Sequence, residues 1–251
     1  MFSSNPFTEV FASIGAEAMQ IYVILMAAAV IGGVIFDVMH KKSAQYFFEN
    51  AKKAERHAKR TVSSGEKIGL AVATAANEVL TSGEFANQQR RLSHLMTMYG
   101  FIVFVVATVA MVFGSEATIW PTLWHLGALS LAAGGYWFWF FIRVDVASEG
   151  KQWYEVSLRG DLFIVSLLMM STFALLWSFS GAGLSGLSLL FFALFIAAST
   201  TLFTTVIWSK FAHMFFKPAA AYQKKVTKAD GSQENLPDVG DMSDPAIHAR
   251  Y

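Results

Sequence analysis

The distribution of basic residues around five long apolar runs constrains this fold more than any other feature of the sequence. All nineteen Lys and Arg residues lie in three segments, residues 40–92, 143–161 and 210–251. The other connections between the runs, and residues 1–18, contain none. Because basic loops stay on the cytoplasmic side of a membrane, this segregation predicts a membrane protein with its N-terminus outside and its C-terminus in the cytoplasm.

Each apolar run is at or near the length of about 20 residues that an α-helix needs to cross a bilayer. We therefore predict an all-α, polytopic protein of the inner (cytoplasmic) membrane, built as a bundle of five transmembrane helices. Residues 1–18 would be an extracytoplasmic lead, 19–222 the membrane domain with a cytoplasmic helical insertion at 40–92, and 223–251 a disordered cytoplasmic tail. The predicted spans are Met19–Met39, Ser93–Phe113, Thr118–Ile142, Leu162–Ser180 and Leu184–Phe216.

Composition supports the same class and excludes several kinds of function. Hydrophobic residues make up 55% of the chain and charged residues only 15%, which is typical of membrane proteins. Topology and anionic lipid headgroups already explain the basic clusters, so we expect no nucleic acid partner. The chain has no cysteine, so any redox centre within it must be held by His, Met, Tyr or carboxylate side chains rather than by thiolates.

The insertion between the first two spans has the pattern of two surface helices. Residues 46–60 are rich in Ala, Lys and Glu, and Ser63 followed by Glu66 is a capping pattern for a helix over Lys67–Leu80. This second helix is amphipathic, so its apolar face either rests on lipid or receives a soluble partner, and the sequence leaves both open. The apolar residues at helical spacing are Ile68, Ala71, Val72, Ala75 and Val79.

Two of the six histidines are expected to meet near the inner surface of the membrane. His94 lies at the cytoplasmic start of the second span and His213 near the cytoplasmic end of the fifth, and these spans run antiparallel. Two imidazoles on facing helices can bind the iron of one haem b, with small residues such as Gly100 and Ala212 leaving room for the macrocycle. The alternative is that each imidazole is hydrogen-bonded to lipid or backbone, but a matched pair at equal depth favours haem.

Three arginines lie at the same inner level as this pair. Arg90, Arg91 and Arg143 could pair with haem propionates, because guanidinium groups match carboxylates in geometry, or they could serve only as positive-inside anchors. His125, in contrast, lies near the outer surface, about 20 Å from the level of His94 at ~1.5 Å per residue. It therefore cannot complete the same iron site, and we favour a structural role for it over a place in an outer quinone pocket.

A short motif at the start of the second span resembles a known family of membrane cytochromes. The sequence Gln89–Phe101, QRRLSHLMTMYGF, is similar to the R-x-x-H-L-x-x-x-Y-G-F opening of a cytochrome b helix, and Trp208–His213 fits the closing part of the pattern. The family contains the respiratory nitrate reductase gamma subunit and the membrane subunits of heterodisulfide reductase and of the quinone-interacting oxidoreductase of sulfate reducers. Within it, the chain most resembles the short membrane anchor associated with adenylylsulfate (APS) reductase in sulfur-oxidising bacteria.

The resemblance implies a nitrate reductase gamma-like helix bundle that acts as a membrane-anchor and electron-transfer subunit. Electrons would pass between a soluble iron–sulfur or flavin enzyme on the cytoplasmic face and the quinone pool, through haem b on His94 and His213. Family members with two haems carry further histidines where this chain has Phe104 and Phe195, so only the inner haem is expected. The alternatives are a haem-free anchor that recruits the soluble enzyme and, with less support, a small transporter.

Overall fold

The computed structural model describes residues 2–40, 49, 51–83, 85, 87–146, 148–206 and 213–232. All regular secondary structure in these residues is helical, which confirms the predicted all-α class. The chain divides into two compact units. The first contains Met1–Lys41 and Thr81–Met214, and the second contains Lys42–Leu80 and Phe215–Tyr251.

Eight α-helices are described, and two of them continue as π-helical turns. The turn Ala75–Leu80 extends α3, and the turn Phe138–Ile142 extends α5. Residues 51–55 are also helical. In chain order the helices are α1 (Thr8–Ile14), α2 (Ala16–His40), α3 (Ser64–Thr74), α4 (Gln88–Val112), α5 (Ile119–Trp137), α6 (Leu158–Phe179), α7 (Gly186–Thr204) and α8 (His213–Ala229).

Four segments are long and apolar enough to cross a membrane, so the chain has the helices of a multi-pass membrane protein. They lie in α2, α4, α6 and α7 and match the first, second, fourth and fifth predicted spans. With its π-helical turn, α5 covers the third predicted span, Thr118–Ile142, but it is not among the four. It contains His125, Pro121 and several tryptophans and glycines, which lower its hydropathy. A fifth crossing therefore remains a prediction.

Two predicted boundaries differ from the structure. The fifth apolar run was expected to be helical to Phe216, but α7 ends at Thr204. Threonine hydroxyls at this end donate to backbone carbonyls one turn earlier, from Thr204 to Thr200 and from Thr205 to Thr201. Back-bonding of this kind slightly destabilises a helix. The tail was expected to be disordered from residue 223, but α8 continues to Ala229. The rest of that prediction, residues 233–251, lies outside the described residues.

Helices α4 and α5 are in close backbone contact. A Cβ atom added to Gly100 would lie 2.5 Å from the backbone nitrogen of Leu131, and one added to Gly127 would lie 2.7 Å from that of Phe104. The hydroxyl of Ser93 also donates to the carbonyl of Gly134 at 2.8 Å. Glycine allows this approach because it has no side chain. The expectation that Gly100 leaves room for a porphyrin is therefore wrong, since its open side is filled by α5.

The second unit joins the insertion to the end of α8. The side chain of Ser63 accepts a hydrogen bond from the backbone nitrogen of Glu66, which confirms the predicted cap of α3. The guanidinium of Arg60 binds the Glu66 carboxylate and donates from Nε to the carbonyl of Ala229 at 2.6 Å. The backbone nitrogen of Lys59 donates to the carbonyl of Asp230 at 2.8 Å. The part of the insertion before Thr81 and the end of α8 thus belong to one folded body.

Candidate haem-ligand site

His94 lies in the second turn of α4, beneath a loop that precedes the helix. The side-chain oxygen of Asn87 caps α4 by accepting from the backbone nitrogens of Gln89 and Arg90. The hydroxyl of Ser82 is 3.0 Å from Nδ1 of His94, and the ring of Phe85 is 5.0 Å from the imidazole. The loop before α4 therefore holds this imidazole from one side.

The backbone of Ser82 has an unusual conformation. Its φ angle is +48°, in the left-handed region, and only 1% of its surface is exposed. A non-glycine residue in this conformation costs about 1–3 kcal/mol and persists only where its surroundings enforce it. Arg91 contributes to this restraint, because its Nε donates to the carbonyl of Thr81 at 2.7 Å. We did not identify Ser82 from the sequence, where Ser82-Gly83 resembles an ordinary turn.

Two of the three predicted propionate partners share one carboxylate. Nη2 of Arg90 is 3.6 Å from one carboxylate oxygen of Glu149, and Nε of Arg143 is 4.0 Å from the other. The structure thus brings Arg90 and Arg143 together around a carboxylate, which is the group that a haem propionate would present. Arg91 instead donates to the loop that covers His94.

Arg143 also makes a buried ion pair that neither sequence interpretation expected. Its side chain is fully buried, and Nη2 donates to the Asp161 carboxylate at 2.8 Å and to the Glu155 carbonyl at 2.6 Å. The guanidinium lies 4.0 Å from the ring centre of Trp139. A charge removed from water needs such partners. Arg143 is therefore held inside the protein, and it ties the end of α5 to the start of α6.

Nε and Nη1 of Arg143 are buried and make no hydrogen bond to any described residue. The nearest carboxylate oxygen to Nε is that of Glu149, at 4.0 Å. These two donors are the part of the site that a second carboxylate could satisfy. The donor set at the start of α4 and the end of α5 therefore fits an anionic group, although Arg143 is already paired with Asp161.

The second predicted ligand cannot be placed against the first. His213 is the first residue of α8, but its side chain lies outside what the structure describes, as do Trp208 and Ala212. The pairing of His94 with His213 therefore stays a prediction. Within the described part of the chain, no three His, Asp or Glu side chains converge on a possible metal position.

Aromatic rings pack between α4, α5, α6 and α7 at the level of Phe104 and Phe195. Phe104 and Phe195 face each other across α4 and α7 with ring centres 6.2 Å apart. Trp124 lies 5.0 Å from Phe104, and Trp177 lies 6.1 Å from Phe195. Phe7, from the segment before α1, packs on both tryptophans. These side chains are all buried.

His125 joins two helices near this cluster. Its Nδ1 is 2.7 Å from the carbonyl of Pro121, one turn earlier in α5, and its Nε2 is 2.7 Å from the hydroxyl of Ser178 in α6. The imidazole is fully buried. Both nitrogens are therefore engaged within the bundle, in keeping with the structural role favoured from the sequence.

Comparison of the chain with protein-family models, curated proteins and solved structures found no match.

Proposed function

We propose that this protein is a membrane-anchor and electron-transfer subunit with five spans, its N-terminus outside and its C-terminus in the cytoplasm. It would connect a soluble cytoplasmic oxidoreductase, by resemblance APS reductase, with the quinone pool. One haem b held by His94 and His213 at the inner end of the bundle would carry single electrons between the two. The observation that carries this proposal is the contact between His94, in a cytochrome b-like motif, and the buried Ser82 of the loop before α4.

The contact with Ser82 suits a ligand imidazole. Histidines that bind a metal usually donate a hydrogen bond from their second ring nitrogen, which fixes the tautomer and the ring orientation. If Nδ1–H of His94 donates to the Ser82 hydroxyl, Nε2 is the nitrogen that binds iron. The strained backbone of Ser82 supports this role, because strain of this kind concentrates at functional sites.

The packing of the outer half favours quinone chemistry near the cytoplasmic side. The contact between Phe104 and Phe195 fills the level at which a second haem would lie. Without a second haem, electrons have no cofactor on which to reach the outer surface. An exchangeable quinone would therefore react close to the inner site rather than near His125.

The soluble partner would approach the second unit. Residues 40–92 contain ten bases and five acids, so an acidic patch on the partner would steer association. The segment that leads to α3 has five exposed bases, Lys52, Lys53, Arg56, Lys59 and Arg60. Arg60 is already paired with Glu66, so the other four are the candidates for binding the partner.

A reduced-minus-oxidised absorbance spectrum of the purified protein tests the proposal. The wild-type chain should show the sharp α-band of haem b, and His94→Ala or His213→Ala should each remove it. His57→Ala, which changes an exposed histidine outside the spans, is the matched control and should keep the band. A folded wild-type protein without any α-band would favour the alternative, a haem-free anchor that only recruits the soluble enzyme.

A further inference from the structure

The amphipathic helix α3 has an exposed apolar face. Ile68 and Val72 are 65% and 64% exposed, and Ala71 and Ala75 on the same face are also exposed. The opposite side is the one that packs, because Thr74 is buried and Leu70 is half-buried. The helix therefore presents a continuous apolar stripe of side chains that no described part of the chain covers.

Covalent connectivity ties one end of this stripe to a membrane helix. The π-helical turn after α3 ends at Leu80, which is 55% exposed. The next residue, Thr81, accepts the hydrogen bond from Arg91 in the first turn of α4. Consecutive Cα atoms are only about 3.8 Å apart. Leu80 is therefore one peptide bond away from a residue that is hydrogen-bonded to a helix long and apolar enough to cross a membrane.

The charges near the stripe also favour a lipid surface as what covers it. Lys67 is exposed next to the stripe, and Arg90 and Arg91 lie just before the predicted span Ser93–Phe113. Bases at a membrane surface attract anionic lipid headgroups. A helix with apolar residues on one face and bases beside them typically lies in the plane of the bilayer interface.

We infer that α3 is an interfacial helix whose Ile68–Val72 face inserts into the inner leaflet of the membrane. The face binds the acyl region beneath anionic headgroups, while Lys67 stays at headgroup level. Lipid binding by α3 does not depend on whether the chain binds haem. It also restricts where a soluble partner can bind, because the apolar stripe is then occupied, and the basic segment before α3 becomes the accessible surface of the insertion.

Site-directed spin labelling tests this inference directly, because the chain contains no cysteine and needs no background mutation. A single cysteine is introduced at Ile68, at Val72 or at Gly69, labelled with a nitroxide, and reconstituted as the whole chain in nanodiscs containing phosphatidylglycerol. Gly69 is the matched control, since it is exposed with open space around it and points about 100° around the helix from Ile68. All three positions are exposed, so labelling should not disturb the fold, which circular dichroism checks.

Labels at Ile68 and Val72 should collide with oxygen, which concentrates in the bilayer, severalfold more than with a water-soluble nickel chelate. The ratio at Gly69 should be several times lower. Equal ratios at the three positions, close to those of water, would overturn the inference and leave the stripe for a protein partner. Dipolar broadening of the signal from Ile68 or Val72 labels would also overturn it, because a second copy of the chain would then cover the face.

Discussion

His94 is held at one ring nitrogen by a residue twelve positions earlier in the chain, so its orientation depends on a loop as well as on its own helix. The motif around His94 identifies the residue, but the motif contains nothing that marks Ser82. The contact arises because the loop folds back over the start of α4, where Arg91 binds Thr81. At this scale the sequence identifies the candidate ligand, and the tertiary structure supplies the residue that positions it.

Replacing Ser82 tests whether this hydroxyl orients a haem ligand. We expect Ser82→Ala to weaken haem retention by about 10–100-fold, the usual effect of losing a hydrogen-bonded partner of a metal ligand. The α-band during haem titration measures this. Ser64→Ala, at an exposed serine in α3, is the control. Unchanged retention and an unchanged midpoint potential in Ser82→Ala would show that the hydroxyl does not act on the ligand.

Between elements, the crossing of α4 and α5 depends on the absence of side chains at two glycines. Hydropathy located the segments that form these helices, but it carries no information on which glycines face a neighbour. Gly32 and Gly100 both lie within apolar helices, yet only Gly100 lies against a neighbouring backbone. The sequence therefore led to the wrong role for Gly100, room for a porphyrin, and only the packed structure shows that this glycine lies against α5.

Gly100→Ala should destabilise the bundle by about 1–3 kcal/mol, since the new methyl group overlaps the backbone of α5. Gly32→Ala, where no atom lies within 4 Å, should leave stability unchanged or raise it slightly, because alanine favours helix. Thermal or denaturant unfolding in detergent measures both variants. Equal stabilities for the two would contradict the close crossing.

The junction between α3 and α8 should depend on pH. Glu66 accepts a hydrogen bond from Arg60. This bond, together with the attraction between the two charges, lowers the pKa of Glu66 below its ordinary value. A lowered carboxyl pKa contributes stability that is present above the unfolded pKa of about 4.3 and is lost as the pH falls through the folded pKa. Amide exchange in α3 should therefore be faster at acidic pH relative to its intrinsic rate. Glu66→Gln should exchange faster already at neutral pH and should lack this pH dependence.

Across the whole molecule, the one-sided distribution of nineteen bases predicts orientation, and reporters test it. Enzymatic reporters inserted at Ser115, between α4 and α5, and at Gly181, between α6 and α7, should both give extracytoplasmic signals. A reporter at Lys52 should give a cytoplasmic signal and is the control. A cytoplasmic signal from either outer position would reject the five-span topology with an external N-terminus.

The sequence by itself determined the helical class, four apolar segments able to cross a membrane and the cap that starts α3. Length, apolar composition and a serine at the correct spacing act locally, so they can be identified without knowing what packs against them. Only the tertiary structure decided the roles of Ser82, Arg60 and Gly100, the burial of Arg143 against Asp161, and the aromatic packing between α4 and α7. These depend on contacts between residues far apart in the chain, which no local pattern encodes.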